Sequence, residues 1–183
     1  MNNDHSLRYP TGRLEDQAFT GKEPFSESIK NSQIRDIKFL PSLMEQAVEN
    51  LDAQQLHTAY RPGGWTIHQV VHHVPDSHMN AYIRFKLGLT ENNPVIKPYD
   101  EAAWAELSDT RNLPVNISLT LLHALHSRWV EVLINITEAE WNKTVFHPEH
   151  NKVISLWSLL ATYAWHGKHH VAHITSLRER MGW

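Results

Sequence analysis

His166-Gly167-Lys168-His169-His170-Val171-Ala172-His173 places four imidazoles within eight residues near the C-terminus. At about 3.6 residues per turn, His166, His170 and His173 fall on one stripe of a helix, with His169 at its edge. The same stripe carries Leu159, Tyr163, Ile174 and Leu177, so the imidazoles share the face that a helix buries. Burying several polar rings costs free energy unless each finds a partner. A metal ion is the simplest common partner for neutral imidazoles, and His166/His170 have the i, i+4 spacing of two ligands on one helix face. One segment thus argues both for a packed helix and for metal binding.

The remaining composition narrows the chemistry. A chain of 183 residues with 41% hydrophobic content reads as one domain able to bury a real core. No apolar run approaches the length of a membrane span. Met1-Asn2-Asn3-Asp4-His5 lacks the pattern of a secretory signal, so the expected location is cytoplasmic. Cysteine is absent, which excludes disulfides, thiolate ligands and a cysteine nucleophile. A metal site here must use His, Asp, Glu or water. A net charge of −3 with scattered Lys and Arg gives no footprint for nucleic acid. The 14 histidines are the anomaly, and they cluster at 68–78, 123–126, 147–150 and 166–173.

Working back from the histidine helix, residues 1–25 hold Pro10, Gly12, Gly21 and Pro24 with little periodicity and read as an extended arm. Residues 26–183 form the domain. From Glu27 to Leu51, Ile34, Ile37, Met44, Ala47, Val48 and Leu51 trace an apolar helical stripe, and Pro41 predicts a kink or break near Leu40. Thr66 and Gln69 form a capping box that opens a second helix running to about Leu87, with a bend expected at Pro75. A long connection over 88–114 carries Gly88, Pro94, Pro98 and Pro114. Leu121 to Ile136 mark a third helix, a polar loop with room for a small hairpin follows, and Ser155 caps the last helix to about Met181. Four long amphipathic helices make this an all-α, four-helix bundle. The connection between the second and third helices is long enough to be a crossover that lets those two run parallel.

Two ligands on one helix need a third from elsewhere. On the second helix His73 is flanked by Thr66, Gln69, Asp76, Ser77, Asn80 and Arg84, a polar seam beside the apolar stripe. His72 points about 100° away and reads as solvated, whereas His78 lies on the apolar side as a core histidine. The helical wheel alone favours His73. For His173, contact with a ligand or a substrate competes with simple packing, and His169 reads as a solvated or hydrogen-bonded edge residue rather than a ligand. Asp76 is a candidate for orienting an imidazole or taking a proton, with a surface salt bridge as the plainer reading. The i, i+3 pair His123/His126 offers a second weak site, with a solvated helix face as the plainer reading. Arg61 and Arg84 are set to pair structurally or to meet an anionic substrate group.

Trp65-Thr66 with His73 eight residues after the Trp, joined to the C-terminal His-x-x-x-His, resembles the DinB superfamily. The blocks Tyr60-Arg-Pro-Gly-Gly-Trp-Thr66, His72-His73-Val-Pro-Asp-Ser-His-Met-Asn80, Ile83-Arg-Phe-Lys86 and Tyr163–Ile174 resemble its YfiT branch. That branch is described as metal-dependent hydrolases, with bacillithiol S-transferases among its members. The resemblance spans roughly Leu7 to the end. It implies a DinB-like bundle with a long crossover and one divalent transition metal per chain, zinc first and nickel second, held by His73, His166 and His170. It also implies a homodimer. His173 stands where many relatives carry Gln, and Pro75 where Ala is usual.

Three neutral ligands with an open position describe a catalytic site rather than a closed structural one. The expected activity is hydrolysis of a small molecule by metal-bound hydroxide. The alternative is transfer of a low-molecular-weight thiol such as bacillithiol. A non-catalytic metal-binding module is the third class, since no general base is legible. Small molecules are the expected partners, with neither nucleic acid nor membrane.

Overall fold

The computed structural model describes residues 3–183. In chain order it contains α1 (Asn3–Arg8), a 3₁₀ turn (Leu14–Asp16), α2 (Glu27–Val48), α3 (Ala53–Leu56) and α4 (Ile67–Thr90). There follow α5 (Glu101–Trp104), α6 (Ser108–Asn112), α7 (Val115–Ile134), a second 3₁₀ turn (Ala139–Asn142), β1 (Thr144–His147), β2 (Lys152–Ser155) and α8 (Leu156–Met181). Among the described residues no helix is long and apolar enough to cross a membrane.

The helix starts follow local chemistry. Thr66 Oγ1 accepts from the Gln69 amide at 3.1 Å while the Thr66 amide donates to Gln69 Oε1 at 3.0 Å, the reciprocal cap that opens α4. Ser155 Oγ accepts from the Ser158 amide at 3.1 Å and opens α8. The chain before α2 departs from the expected extended arm, because α1 and the 3₁₀ turn give it two helical pieces; Met1 and Asn2 lie outside the described residues. This segment is tied to α8 through its backbone carbonyls. Trp165 Nε1 donates to Gly12 O, Trp157 Nε1 to Glu23 O and Ser158 Oγ to Gly21 O. Gly21 sits at φ +79°, and a Cβ there would lie 2.3 Å from the Ser158 backbone, so only glycine fits.

Contacts between the four long helices define their directions. Ser118 meets His72, His126 meets His78 and Trp129 meets Phe85, so α7 runs parallel to α4. Lys168 pairs with Asp36 and Arg178 bonds the Ala47 carbonyl, so α8 runs parallel to α2. Gly88 packs on Leu156, and Arg84 Nη1 donates to Tyr163, so α4 and α8 are antiparallel. A parallel α4/α7 pair requires the crossover, and residues 91–114 supply it. On the way this connection pairs with the α7–α8 hairpin, through Ile96 N to Phe146 O and Phe146 N to Pro94 O. The hairpin itself is β1 against β2, antiparallel, with Val145 opposite Ile154.

The crossover also covers the polar seam of α4. Gln69 Nε2 donates to Ala105 O, and the rings of His68 and His72 each lie 3.1 Å from Leu113 O. His72, expected in solvent, is therefore buried, with Ser118 Oγ 2.7 Å from its Nδ1. A helical wheel assumes one buried face, whereas α4 is covered on two.

Two apolar clusters fill the bundle. One contains Phe85, Trp129, Leu133 and Leu160, and the other Met44, Val70, Leu122 and Ile174. Between them on each helix lies a polar level: the Ile37 carbonyl on α2, His78 on α4, His126 on α7 and His166 on α8. Of the kink or break expected near Leu40, the break does not occur: α2 is continuous from Glu27 to Val48 with Pro41 inside it. Pro41 lacks the N–H that would bond Ile37 O, and His126 Nδ1 takes its place at 2.6 Å. α4 likewise passes through Pro75 without interruption.

Candidate metal centre

Antiparallel packing sets His73 of α4 opposite two successive turns of α8. His73 Nε2 lies 3.2 Å from His166 Nε2, and His170 Nε2 lies 3.1 Å from the same atom. The three ligand-capable atoms all fall within 4.8 Å of one another. Nitrogens about 2.0–2.1 Å from a tetrahedral zinc would stand about 3.3 Å apart. The donor set and its spacing fit one small divalent cation. Gly167, between the two α8 histidines, permits the approach of α2: a Cβ there would meet Leu40 Cδ2 at 2.5 Å.

Electrostatics favours the ligand form of each ring. Burial holds His73 at a pKa of about 4. Burial, followed by the neighbouring imidazoles, drives His166 and His170 well below the usual histidine range. All three are neutral at pH 7, with lone pairs available.

A cleft of about 450 Å³ reaches all three rings and is walled by Tyr60, Arg61, Trp65, Tyr99 and Trp165, with Arg8 from the N-terminal segment. Trp65 packs over His73 at 4.6 Å between ring centroids. Ligands converging from the bundle side and a cleft on the other leave space for a reactant beside a bound cation.

The remaining sequence candidates sit as follows. His173 stacks on Tyr60 at 3.9 Å, has Nε2 3.0 Å from Arg8 O and Nδ1 3.4 Å from His170 Nδ1, and is held at a pKa of about 4 mainly by burial. It touches a ligand-capable ring and lines the cleft. Asp76 joins neither an imidazole nor a cation: among the described residues its carboxylate makes no hydrogen bond or ion pair. Burial and then Asp109 push its pKa up to about 6. His169, read as a solvated or hydrogen-bonded edge residue, is buried under Trp165, stacked at 4.6 Å, and beside Tyr9. Arg84 is a structural partner of Tyr163 Oη and Lys97 O.

His123 and His126 do not act together. His123 is exposed against Glu45, while His126, expected on a solvated face, is buried between His78 and Ile37 O. Its burial, and its contact with His78, which is buried as expected, are the features that helical periodicity passed over. The available signal was Pro41, which frees a carbonyl inside the bundle. His147, Glu149 and His150 form a second group on the hairpin. There the two imidazoles lie face to face, 4.3 Å apart with planes at 16°, rather than converging edge-on, and Glu149 and His150 are exposed.

Comparison with known proteins agrees with this architecture. The DinB superfamily model matches residues 37–174. A protein of Bacillus cereus (strain 03BB102) and one of Bacillus thuringiensis subsp. konkukian (strain 97-27), both named "Putative metal-dependent hydrolase", are each 51% identical over 179 residues, covering 98% of this chain and 99% of theirs. The solved structure of YfiT from Bacillus subtilis, described as a probable metal-dependent hydrolase with an unusual four-helix bundle topology, is similar with a TM-score of 0.92. It is 46% identical, with 97% of this chain and 99% of that one covered. With its fold and three-quarters of its length matched, the chain belongs to the DinB superfamily.

Proposed function

We propose that this chain is a metal-dependent hydrolase of a small molecule, with a divalent transition metal held by His73, His166 and His170. The observation that carries the reading is the convergence of three neutral imidazoles on an open cleft, with the Nε2 atoms of His73 and His170 3.2 and 3.1 Å from that of His166 and all three ligand-capable atoms within 4.8 Å of one another. The names of its relatives point the same way. Zinc is the expected ion and nickel the second choice. A cation of this kind supplies Lewis acidity and makes a bound water or thiol acidic near neutral pH.

The chain's own residues do the rest. Trp65 and Tyr60 wall the cleft against His73 and His173, which would keep water from one side of a cation held there and sharpen local electrostatics. Arg8, Arg61 and Glu101 add charged groups to the cleft lining. His173 keeps a nitrogen beside His170 and orients that ring. A homodimer in the cytoplasm remains part of the proposal.

The test begins with elemental analysis of protein purified without a metal column. Close to one transition metal per chain is expected, and a clean zero sinks the reading. Ester and amide hydrolysis are then assayed beside conjugation of bacillithiol to a haloaromatic electrophile. Turnover that demands both thiol and metal would reassign the site to thiol transfer. Stoichiometric metal with neither activity would leave a binding module.

A further inference from the structure

Four groups form an unbranched line of hydrogen bonds across the bundle. Ile37 O lies 2.6 Å from His126 Nδ1, His126 Nε2 lies 2.9 Å from His78 Nδ1, and His78 Nε2 lies 3.1 Å from His166 Nδ1. A backbone carbonyl can only accept, so His126 must carry its proton on Nδ1. A neutral imidazole has one N–H, which leaves His126 Nε2 to accept from Nδ1–H of His78. By the same count His78 Nε2 accepts from Nδ1–H of His166. The Nε2 of His166 is then bare, and it is the atom that faces His73 and His170. Every proton in the line follows from one carbonyl.

That carbonyl is available because residue 41 is proline and offers it no helical donor. His78 and His126 are enclosed, at 0% and 2% exposure, so no water competes for their nitrogens. A shorter line acts on the neighbouring ligand. Arg8 O accepts from His173 Nε2, which leaves His173 Nδ1 to accept, at 3.4 Å, from Nδ1–H of His170.

We propose that Ile37 O, His126 and His78 form a tautomer relay that keeps the proton of His166 on Nδ1 and so holds its Nε2 open for a divalent transition metal. His78 and His126 are positioning residues for a ligand they support from behind. The metal end of this inference rests on the centre proposed above; the order of protons does not. Without His126, His78 gains a bonded proton only by turning to the opposite tautomer. It would then donate to His166 Nδ1 and force the His166 proton onto Nε2, into the metal position.

The test uses metal-free, full-length protein labelled with ¹⁵N at histidine and two-bond ¹H–¹⁵N NMR. His166, His78 and His126 are each expected to show a protonated Nδ1 and a bare Nε2. A protonated Nε2 at His166 overturns the relay. Zinc affinity is then read by competition with a chromogenic chelator. His126→Phe should weaken binding about 10–100-fold and move the His166 signals toward the other tautomer. His126→Gln, whose amide oxygen can accept from His78, should restore both to within a few-fold of the parent. Equal zinc affinity in His126→Phe overturns the proposal even if that variant is otherwise well folded, and the NMR of the parent protein decides the proton order if it is not. The expected tautomers without any zinc binding would sustain the relay and sink the metal reading. Tight zinc binding with a protonated Nε2 in the metal-free state would do the reverse.

Discussion

Acidification should unfold the metal-free protein at a pH where most bundles remain intact. Burial holds His73, His126 and His173 at pKa values of about 4 and His169 at about 3. In the unfolded chain each returns to about 6.5. Below pH 6.5 the unfolded state therefore binds more protons than the folded state, and stability falls as pH falls. Between 6.5 and 4 the loss is about 1.36 kcal/mol per pH unit for each ring. From pH 7.5 to 5.5 that is about 1 kcal/mol per ring, or roughly 5 kcal/mol for the four. At pH 5.0 it reaches about 8 kcal/mol, comparable with the whole stability of an ordinary domain, about 5–15 kcal/mol. His78, His166 and His170 lie well below the usual range for the same reason and push in the same direction.

Urea unfolding in the presence of a chelator, at half-unit steps from pH 7.5 to 5.0, measures this loss directly. The free energy should fall steeply below pH 6.5 with the m-value unchanged. A fall of less than about 2 kcal/mol by pH 5.5 would mean that the rings take up protons in the folded protein, and the assignment of neutral, enclosed imidazoles would be wrong. Zinc should move the acid limit downward, because it competes with protons for the ligand nitrogens of the folded state only.

Two further substitutions separate metal binding from packing. His170→Ala should abolish tight zinc binding in a chelator competition, whereas His72→Ala should bind zinc like the parent. The latter should nonetheless lose about 1–3 kcal/mol of stability in urea, since it leaves the Ser118 hydroxyl without its imidazole and the Leu113 carbonyl with His68 alone; loss of zinc binding in His72→Ala would contradict the assigned ligand set. Gly167→Ala sets two terms against each other: about 1–3 kcal/mol of overpacking on Leu40 and a helical gain of about 0.8–1 kcal/mol for alanine over glycine. The whole Leu40 side chain must shift, with Cδ2, Cδ1 and Cγ all within 3.2 Å of the added carbon, so net destabilisation of about 1 kcal/mol and a Tm lower by about 2–4 °C are expected. A higher Tm in calorimetry would refute the close α2–α8 contact.

Local rules were sufficient where one segment determines its own structure. Thr66 with Gln69 and Ser155 with Ser158 cap the helices they were expected to cap, and the four long helices form the bundle. The i, i+4 pair His166/His170 and the polar seam around His73 carried the candidate centre, because ligand spacing on a helix is a property of the helix alone. The rest failed where burial comes from a second or third element. His72 reads as solvated and His169 as an edge residue until the crossover and the N-terminal segment cover them. His126 read as part of a solvated face because its two partners lie 48 and 89 residues away in sequence. Pro41 shows the difficulty most sharply. As a local signal it removes a donor and predicts a break, yet the same loss leaves Ile37 O with a lone pair inside the core. An acceptor stranded there must be met by a donor, and His126 meets it without interrupting α2. A proline in a buried helix face therefore carries two predictions, a missing bond and an available carbonyl. Where histidine is abundant and the core must stay dry, the available carbonyl is the more informative of the two.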